Sequence, residues 1–201
     1  LKLCSTAWLN LLWFLCSLPI FTAGASTTAL YYVTLKMARD EETNLTKLFF
    51  KSFRENFRQA TTLWLILLAV GLVLAADGYI LYHLRLTATG FPGVLWTLIL
   101  ALIIVVSIVY VIVLMYVFPL VASVSNTNWA MLKNSFFIGI HYLFCSILIF
   151  AIHLAMFYVV VNLFTPAIIF GQGLCAFLSS HLLNNVIQAC SYEPDAEEAV
   201  Q

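Results

Sequence analysis

Residues 94–118 read VLWTLILALIIVVSIVYVIVLMYVF, an apolar run without a single charged side chain. About 20 apolar residues suffice to cross the hydrocarbon core of a bilayer as an α-helix, so this run predicts a transmembrane helix. Pro119 follows directly. We expect it to end the helix, because proline lacks the backbone N–H that the helix would use.

The composition of the whole chain predicts the same class of protein. Of the 201 residues, 63% are hydrophobic and 9% are charged, whereas an ordinary globular protein has roughly 25% charged residues. So few charges cannot cover a surface that faces water, and we predict an all-α, polytopic transmembrane bundle forming one domain over residues 1–201. The net charge is zero, which gives no support for a nucleic-acid partner.

Hydropathy indicates about five membrane spans. The first is longer than a bilayer requires and contains Pro19, where we expect a kink. A true hairpin at Pro19 would raise the count to six. Turns at 91–93 and 165–166 separate neighbouring spans. The predicted spans cover residues 3–33, 61–82, 94–118, 136–163 and 167–188.

The distribution of cations predicts the orientation of the chain. Six of the nine Lys and Arg residues lie in the first loop, at positions 36–58. Cytoplasmic loops carry an excess of these residues. We therefore expect this loop and the C-terminus to be cytoplasmic, and five spans would place the N-terminus outside.

The same loop contains an amphipathic pattern over residues 47–59. Four phenylalanines recur at helical spacing on one face and four cations recur on another. Such a helix suits the membrane interface, with its rings at the acyl boundary and its cations near anionic lipid. It equally suits a docking face for a partner protein, and both interpretations remain open. The rings are Phe49, Phe50, Phe53 and Phe57, and the cations are Lys47, Lys51, Arg54 and Arg58.

Two ionisable side chains are candidate intramembrane polar residues. Asp77 lies near the end of the second span and His153 near the middle of the fourth. An ionisable residue at membrane depth is by default a candidate for an ion or proton pathway. Asp77 is also close enough to the end of its span to reach the interface. If Asp77 is buried, His153 is its expected partner.

The last span carries a stripe of small and polar residues. Small residues allow close backbone approach and amides bond across a helix contact, so the stripe predicts packing against another helix. That helix belongs either to the same bundle or to a different subunit. Residues 22–29, a run of small residues, offer a second such surface. The stripe consists of Gly173, Ala176, Ser180, Asn184 and Gln188.

Motifs of enzymes and nucleotide-binding proteins, such as GxSxG, HExxH and GxxxxGK[ST], are missing from the sequence. Its histidines and cysteines do not have the spacing of a metal site. We therefore expect no catalytic activity, no cofactor and no bound metal.

Two segments resemble the YesL-like family of bacterial integral membrane proteins, a domain of unknown function. Residues 10–32 read NLLWFLCSLPIFTAGASTTALYY and residues 49–61 read FFKSFRENFRQAT. Both are similar to signatures of that family, and the resemblance is specific across residues 10–62. It implies a protein of about five spans in the plasma membrane of a Gram-positive bacterium, without catalytic residues to carry over.

Members of the YesL-like family are often associated with oligosaccharide ABC importers. The resemblance therefore implies a non-catalytic auxiliary subunit that binds the permease subunits of a carbohydrate importer and stabilises or regulates them. Membrane lipid is the other expected partner. The alternative function is a small stand-alone transporter or channel, with Asp77 and His153 on its conduction path.

Overall fold

The computed structural model describes the backbone of residues 2–41, 44–87, 91–163 and 168–198, and the side chains of residues 4–41, 44–84, 86, 92–162 and 171–187. Throughout these residues the fold is helical. A 3-10 turn, Ile20–Thr22, precedes the second helix, and a π-helical turn, Val159–Leu163, follows the sixth. The helices are α1 (Lys2–Ser17), α2 (Ala23–Ala38), α3 (Leu45–Thr87), α4 (Phe91–Ser123), α5 (Asn128–His141), α6 (Leu143–Tyr158) and α7 (Ile168–Glu198).

Three helical segments in the described part of the chain are long and apolar enough to cross a membrane. They contain most of the second, third and fourth predicted spans, and they are compatible with a multi-pass membrane protein. In the α4 segment, the most apolar stretch of 18 residues contains no residue that is buried within the chain. Every side chain in that stretch therefore keeps some exposed surface, as expected where a helix contacts lipid. The segments are Leu45–Leu84, Pro92–Ser123 and Leu143–Asn162.

Pro19 does not kink a single first span. Helix α1 ends at Ser17, and the chain reverses its direction into α2. Side chains then bond across the two helices: Trp13 Nε1 donates to Thr27 Oγ1 at 3.0 Å, and the hydroxyl oxygens of Ser17 and Ser26 are 2.6 Å apart. The expected kink was wrong, and the alternative, a helical hairpin, is the observed arrangement.

The hairpin brings the beginning of α1 to the beginning of α3. Trp8 Nε1 donates to Thr46 Oγ1 at 3.0 Å. The 16 residues of α1 extend about 24 Å, which is less than the ~30 Å of a hydrocarbon core. A first span crossing the bilayer would place Trp8 and Thr46 on opposite sides, so this contact does not fit the expected crossing.

The basic, phenylalanine-rich segment and the second predicted span form one helix. Residues 47–59 are the first turns of α3 and not a separate interfacial helix. The 43 residues of α3 extend about 64 Å. Its first half packs antiparallel to α2, where Trp64 Nε1 donates to the Ile20 carbonyl at 2.7 Å.

Three predicted helix limits differ from the structure. Helix α4 continues through Pro119 to Ser123, and the predicted turn at 91–93 forms its first turn. One missing N–H is tolerated in an apolar helix whose neighbours and side chains compensate for it. The fourth predicted span is divided at Tyr142, whose φ of −101° and ψ of 48° interrupt the helix between α5 and α6. The predicted turn at 165–166 and the first residue of the fifth predicted span fall within residues 164–167, which lie outside the described residues.

The core forms where α2 packs against α3, α4 and α7. Most of α2 is buried, including four of its first six residues. The closest approach is at Gly24: an added Cβ would lie 2.5 Å from Trp64 Cβ and 2.6 Å from the Ala60 carbonyl oxygen. The run of small residues at 22–29 is therefore occupied within the chain.

Candidate functional site

The small and polar stripe of α7 packs inside the bundle. Ser180 Oγ donates to Thr34 Oγ1 at 2.8 Å, and Asn184 Oδ1 accepts a hydrogen bond from Arg39 Nε at 2.6 Å. These contacts align α7 parallel to α2. The side chain of Gln188, the last member of the stripe, lies outside the described residues. The buried members are Gly173, Ala176 and Ser180.

A second contact of α7 involves Asn10, which the sequence analysis did not select. Its side chain is completely buried, and its Oδ1 accepts a hydrogen bond from the Gly173 backbone N–H at 2.7 Å. A Cβ on Gly173 would lie 2.9 Å from both Asn10 Cβ and the Thr6 carbonyl oxygen. Glycine is therefore needed for this close approach. An isolated amide within the apolar run of α1 was the available signal.

The four phenylalanines of the basic segment divide between the core and the surface. Phe49 is fully buried and Phe53 packs partly against the core. Phe50 and Phe57 are 43% and 36% exposed. The two outer rings therefore border the cations instead of lying opposite them. All four cations are exposed: Lys47, Lys51, Arg54 and Arg58.

Three of these cations share a surface pocket with one of the outer rings. The pocket encloses about 350 Å³ near the beginning of α3. None of the described residues that line it is acidic, so this lining carries a net positive charge. We call it the basic pocket. Its lining consists of Thr46, Lys47, Phe50, Lys51 and Arg54.

Asp77 and His153 are not brought together. Asp77 is exposed on α3, whereas His153 is partly buried on α6. Nδ1 of His153 lies 2.9 Å from the Ile149 carbonyl oxygen, which can only accept, so this nitrogen donates. Within the described residues no ion pair or hydrogen bond joins Asp77 to His153. The same residues contain no group of three His, Cys, Asp or Glu side chains that could hold a metal ion.

A larger recess lies between α3, α4 and α6 and encloses about 540 Å³. Helices α4 and α6 meet where the hydroxyls of Tyr116 and Ser146 approach to 2.9 Å. The α3 wall includes Leu74, Ala75 and Gly78. A Cβ added to Gly78 would find no heavy atom within 4 Å, which shows how open this wall is. We call this recess the apolar cleft.

The apolar cleft offers almost no hydrogen-bonding capacity. Among the described residues that line it, the polar side chains are Ser107 and Ser146. Ser107 Oγ donates to the Ile103 carbonyl and Ser146 Oγ to the Gly139 carbonyl, each at 2.8 Å. The remaining lining consists of aliphatic, methionine, phenylalanine and glycine residues. The cleft is therefore suited to an apolar occupant.

No curated protein and no solved structure matches this chain. A match to a protein family covers its N-terminal part. The matched part contains the α1–α2 hairpin, the basic pocket and the greater part of α3, and it covers a little over a third of the sequence. These residues, 6–78, match the sequence model of the family described as "Protein of unknown function, DUF624".

Proposed function

We propose that this protein is a non-catalytic auxiliary membrane subunit that binds the permease subunits of an oligosaccharide ABC importer and stabilises or regulates them. The resemblance of residues 10–62 to the YesL-like family supports the class of partner. The observation that carries the proposal is the apolar cleft, a recess into which a transmembrane helix of the permease packs.

Helix association within lipid depends on van der Waals fit, because lipid tails are as apolar as the side chains that they would release. A recess with three walls provides more contacts to an inserted helix than one convex helix face does. Ala75 and Gly78, three residues apart on the α3 wall, allow close backbone approach. Ile147 and Phe150 on α6 provide bulkier contacts opposite.

The two small-residue surfaces that the sequence offered for packing are already occupied. Residues 22–29 face α3 and α4, and the α7 stripe faces α1 and α2. A partner helix therefore has no access to them in the folded chain. Of the surfaces considered for helix packing, the apolar cleft is therefore the one that we assign to the partner helix.

The chemistry of the apolar cleft favours a protein partner over the sugar itself. Sugar recognition needs free hydrogen-bonding groups in the site. The hydroxyls of Ser107 and Ser146 already donate within the bundle. The cleft is therefore poorly suited to a sugar, which supports an auxiliary role beside the permease.

The test is co-purification of the tagged full-length chain from its native host in mild detergent, with co-eluting proteins identified by mass spectrometry. Gly78→Leu introduces a bulky side chain into the lining of the apolar cleft, and no heavy atom lies within 4 Å of its new Cβ. Ala76→Leu is the matched control, since Ala76 is exposed on α3 and does not line the cleft.

We expect permease components to co-elute with the wild type and with Ala76→Leu, and to be lost with Gly78→Leu. A wild-type chain that elutes alone would refute the subunit role. Equal recovery of the permease with both variants would refute the apolar cleft as its binding surface.

A further inference from the structure

The basic pocket has no role in the proposed contact with the permease. Lys47, Lys51 and Arg54 follow one another at helical spacing, so their charges repel across one surface. Among the residues that the structure describes, no acidic side chain lines the pocket to compensate them. We propose that the basic pocket binds the phosphate of an anionic phospholipid, with Phe50 against the beginning of its acyl chains.

Aromatic side chains border this pocket as they do at a membrane interface. Trp8 Nε1 donates to Oγ1 of Thr46, a pocket residue, while 49% of Trp8 remains exposed. Phe50 lines the pocket and is 43% exposed. Tryptophan is enriched at the level of lipid headgroups, where its ring is half apolar and its N–H finds a partner.

An exposed apolar stripe on α1 leads away from Trp8 and provides a path for the acyl chains. Trp8, Leu11 and Leu15 follow at helical spacing and are 49%, 38% and 53% exposed. The seven residue steps from Trp8 to Leu15 extend about 10 Å along the helix. A soluble phosphate or an acidic peptide would leave this stripe uncovered, which favours a phospholipid.

The basic pocket and the apolar cleft are far apart on α3. Arg54 is the last pocket residue and Leu74 the first cleft residue on that helix. Twenty residues of helix separate them by about 30 Å. The two sites share no residue, so substitutions at one can be tested separately from substitutions at the other.

Native mass spectrometry of the purified full-length chain tests the proposal, with phosphatidylglycerol or phosphatidylcholine titrated into the detergent. We expect the wild type to prefer phosphatidylglycerol. The double variant Lys51→Gln/Arg54→Gln should bind it about 30-fold more weakly, equivalent to about 1 kcal/mol for each cation. Both residues are exposed, so folding is retained.

Lys133→Gln is the matched control. Lys133 is exposed on α5, and its Nζ lies 5.8 Å from the centroid of the Phe137 ring. It is therefore a cation beside an aromatic ring, as in the basic pocket, but outside that pocket. This variant should bind phosphatidylglycerol as the wild type does. Lys133→Gln removes one charge and the double variant removes two, so a loss of about fivefold in Lys133→Gln would indicate an effect of net charge alone and would overturn the proposal. Unchanged binding by the double variant would also overturn it.

Phe50→Ser separates a phospholipid site from a site for soluble phosphates. We expect this variant to weaken binding of phosphatidylglycerol and to leave binding of glycerol phosphate at the level of the wild type. Binding of glycerol phosphate or of an acidic peptide as tightly as the phospholipid would overturn the assignment to lipid. The Phe50 ring is 43% exposed and does not belong to the buried core.

Discussion

Replacing Gly24 with alanine tests the packing of α2 against α3 at its closest point. The new methyl group would lie 2.5 Å from Trp64 Cβ, 2.6 Å from the Ala60 carbonyl oxygen and 3.2 Å from Phe118 Cε1. Two of these neighbours belong to the backbone or sit directly on it. They cannot rotate away, so α3 has to move as a unit.

The magnitude follows from three opposing contributions. Overpacking a filled core costs about 1–3 kcal/mol. Displacing α3 also weakens the hydrogen bond from Trp64 to the Ile20 carbonyl, which contributes about 0.5–1.5 kcal/mol. Alanine regains about 1 kcal/mol over glycine in a helix. The expected net loss is about 2 kcal/mol, a factor of about 30 in the folding equilibrium.

The assay is reversible unfolding of the purified chain by SDS titration in mixed micelles. Gly78→Ala is the matched control, because its new Cβ meets no heavy atom within 4 Å. That variant should gain up to about 1 kcal/mol from helix propensity alone. The same chemical change is thus expected to have opposite signs at the two positions. A Gly24→Ala variant as stable as Gly78→Ala would refute the packing of α2 described here.

Three further predictions concern single side chains. Asn10→Ala removes the acceptor of the buried Gly173 N–H and should lower the free energy of unfolding by about 1–3 kcal/mol in the same titration; an unchanged value would show that this bond does not stabilise the α1–α7 contact. Ser180→Leu forces a larger side chain against Thr34 and should cost at least about 1–3 kcal/mol, whereas Ser180→Ala should cost about 1 kcal/mol; equal stability of the two variants would place the stripe outside the core. Asp77→Asn alters an exposed side chain and should change stability by less than about 0.5 kcal/mol. It should also leave ion flux into proteoliposomes unaltered, and a specific flux that this variant abolishes would support the stand-alone transporter instead.

Sequence reasoning predicted an all-helical fold, because hydropathy over whole segments, and not the identity of single residues, indicates membrane helices. The run at 94–118 lies in α4, and three predicted spans lie largely within long apolar helices. The sequence also contains a signal for the continuity of α3. Positions 45–70 contain neither glycine nor proline to interrupt a helix between the basic segment and the second span. The charges at positions 47–58 nevertheless favoured a separate interfacial helix over a continuation into the second span.

Other features depend on tertiary contacts that periodicity does not encode. Pro19 is compatible with a kink and with a reversal, and bonds such as that between Trp13 and Thr27 accompany the reversal. The apolar cleft depends on how α3, α4 and α6 pack around it. No residue pattern in any one of these helices specifies that packing. Lys47, Phe50, Lys51 and Arg54 were selected from the sequence as candidate contact residues, but Phe50 was expected on the face opposite the cations and the pocket that they share was not predicted.

Site-directed photo-crosslinking in the native host tests most directly whether the apolar cleft receives a permease helix. A photoreactive amino acid is placed at Gly78, which lines the cleft, or at Ala76, which is exposed but does not line it. We predict a crosslinked product containing a permease subunit from position 78 and none from position 76. Equal crosslinking from both positions, or crosslinking from position 78 to lipid alone, would contradict the proposed function.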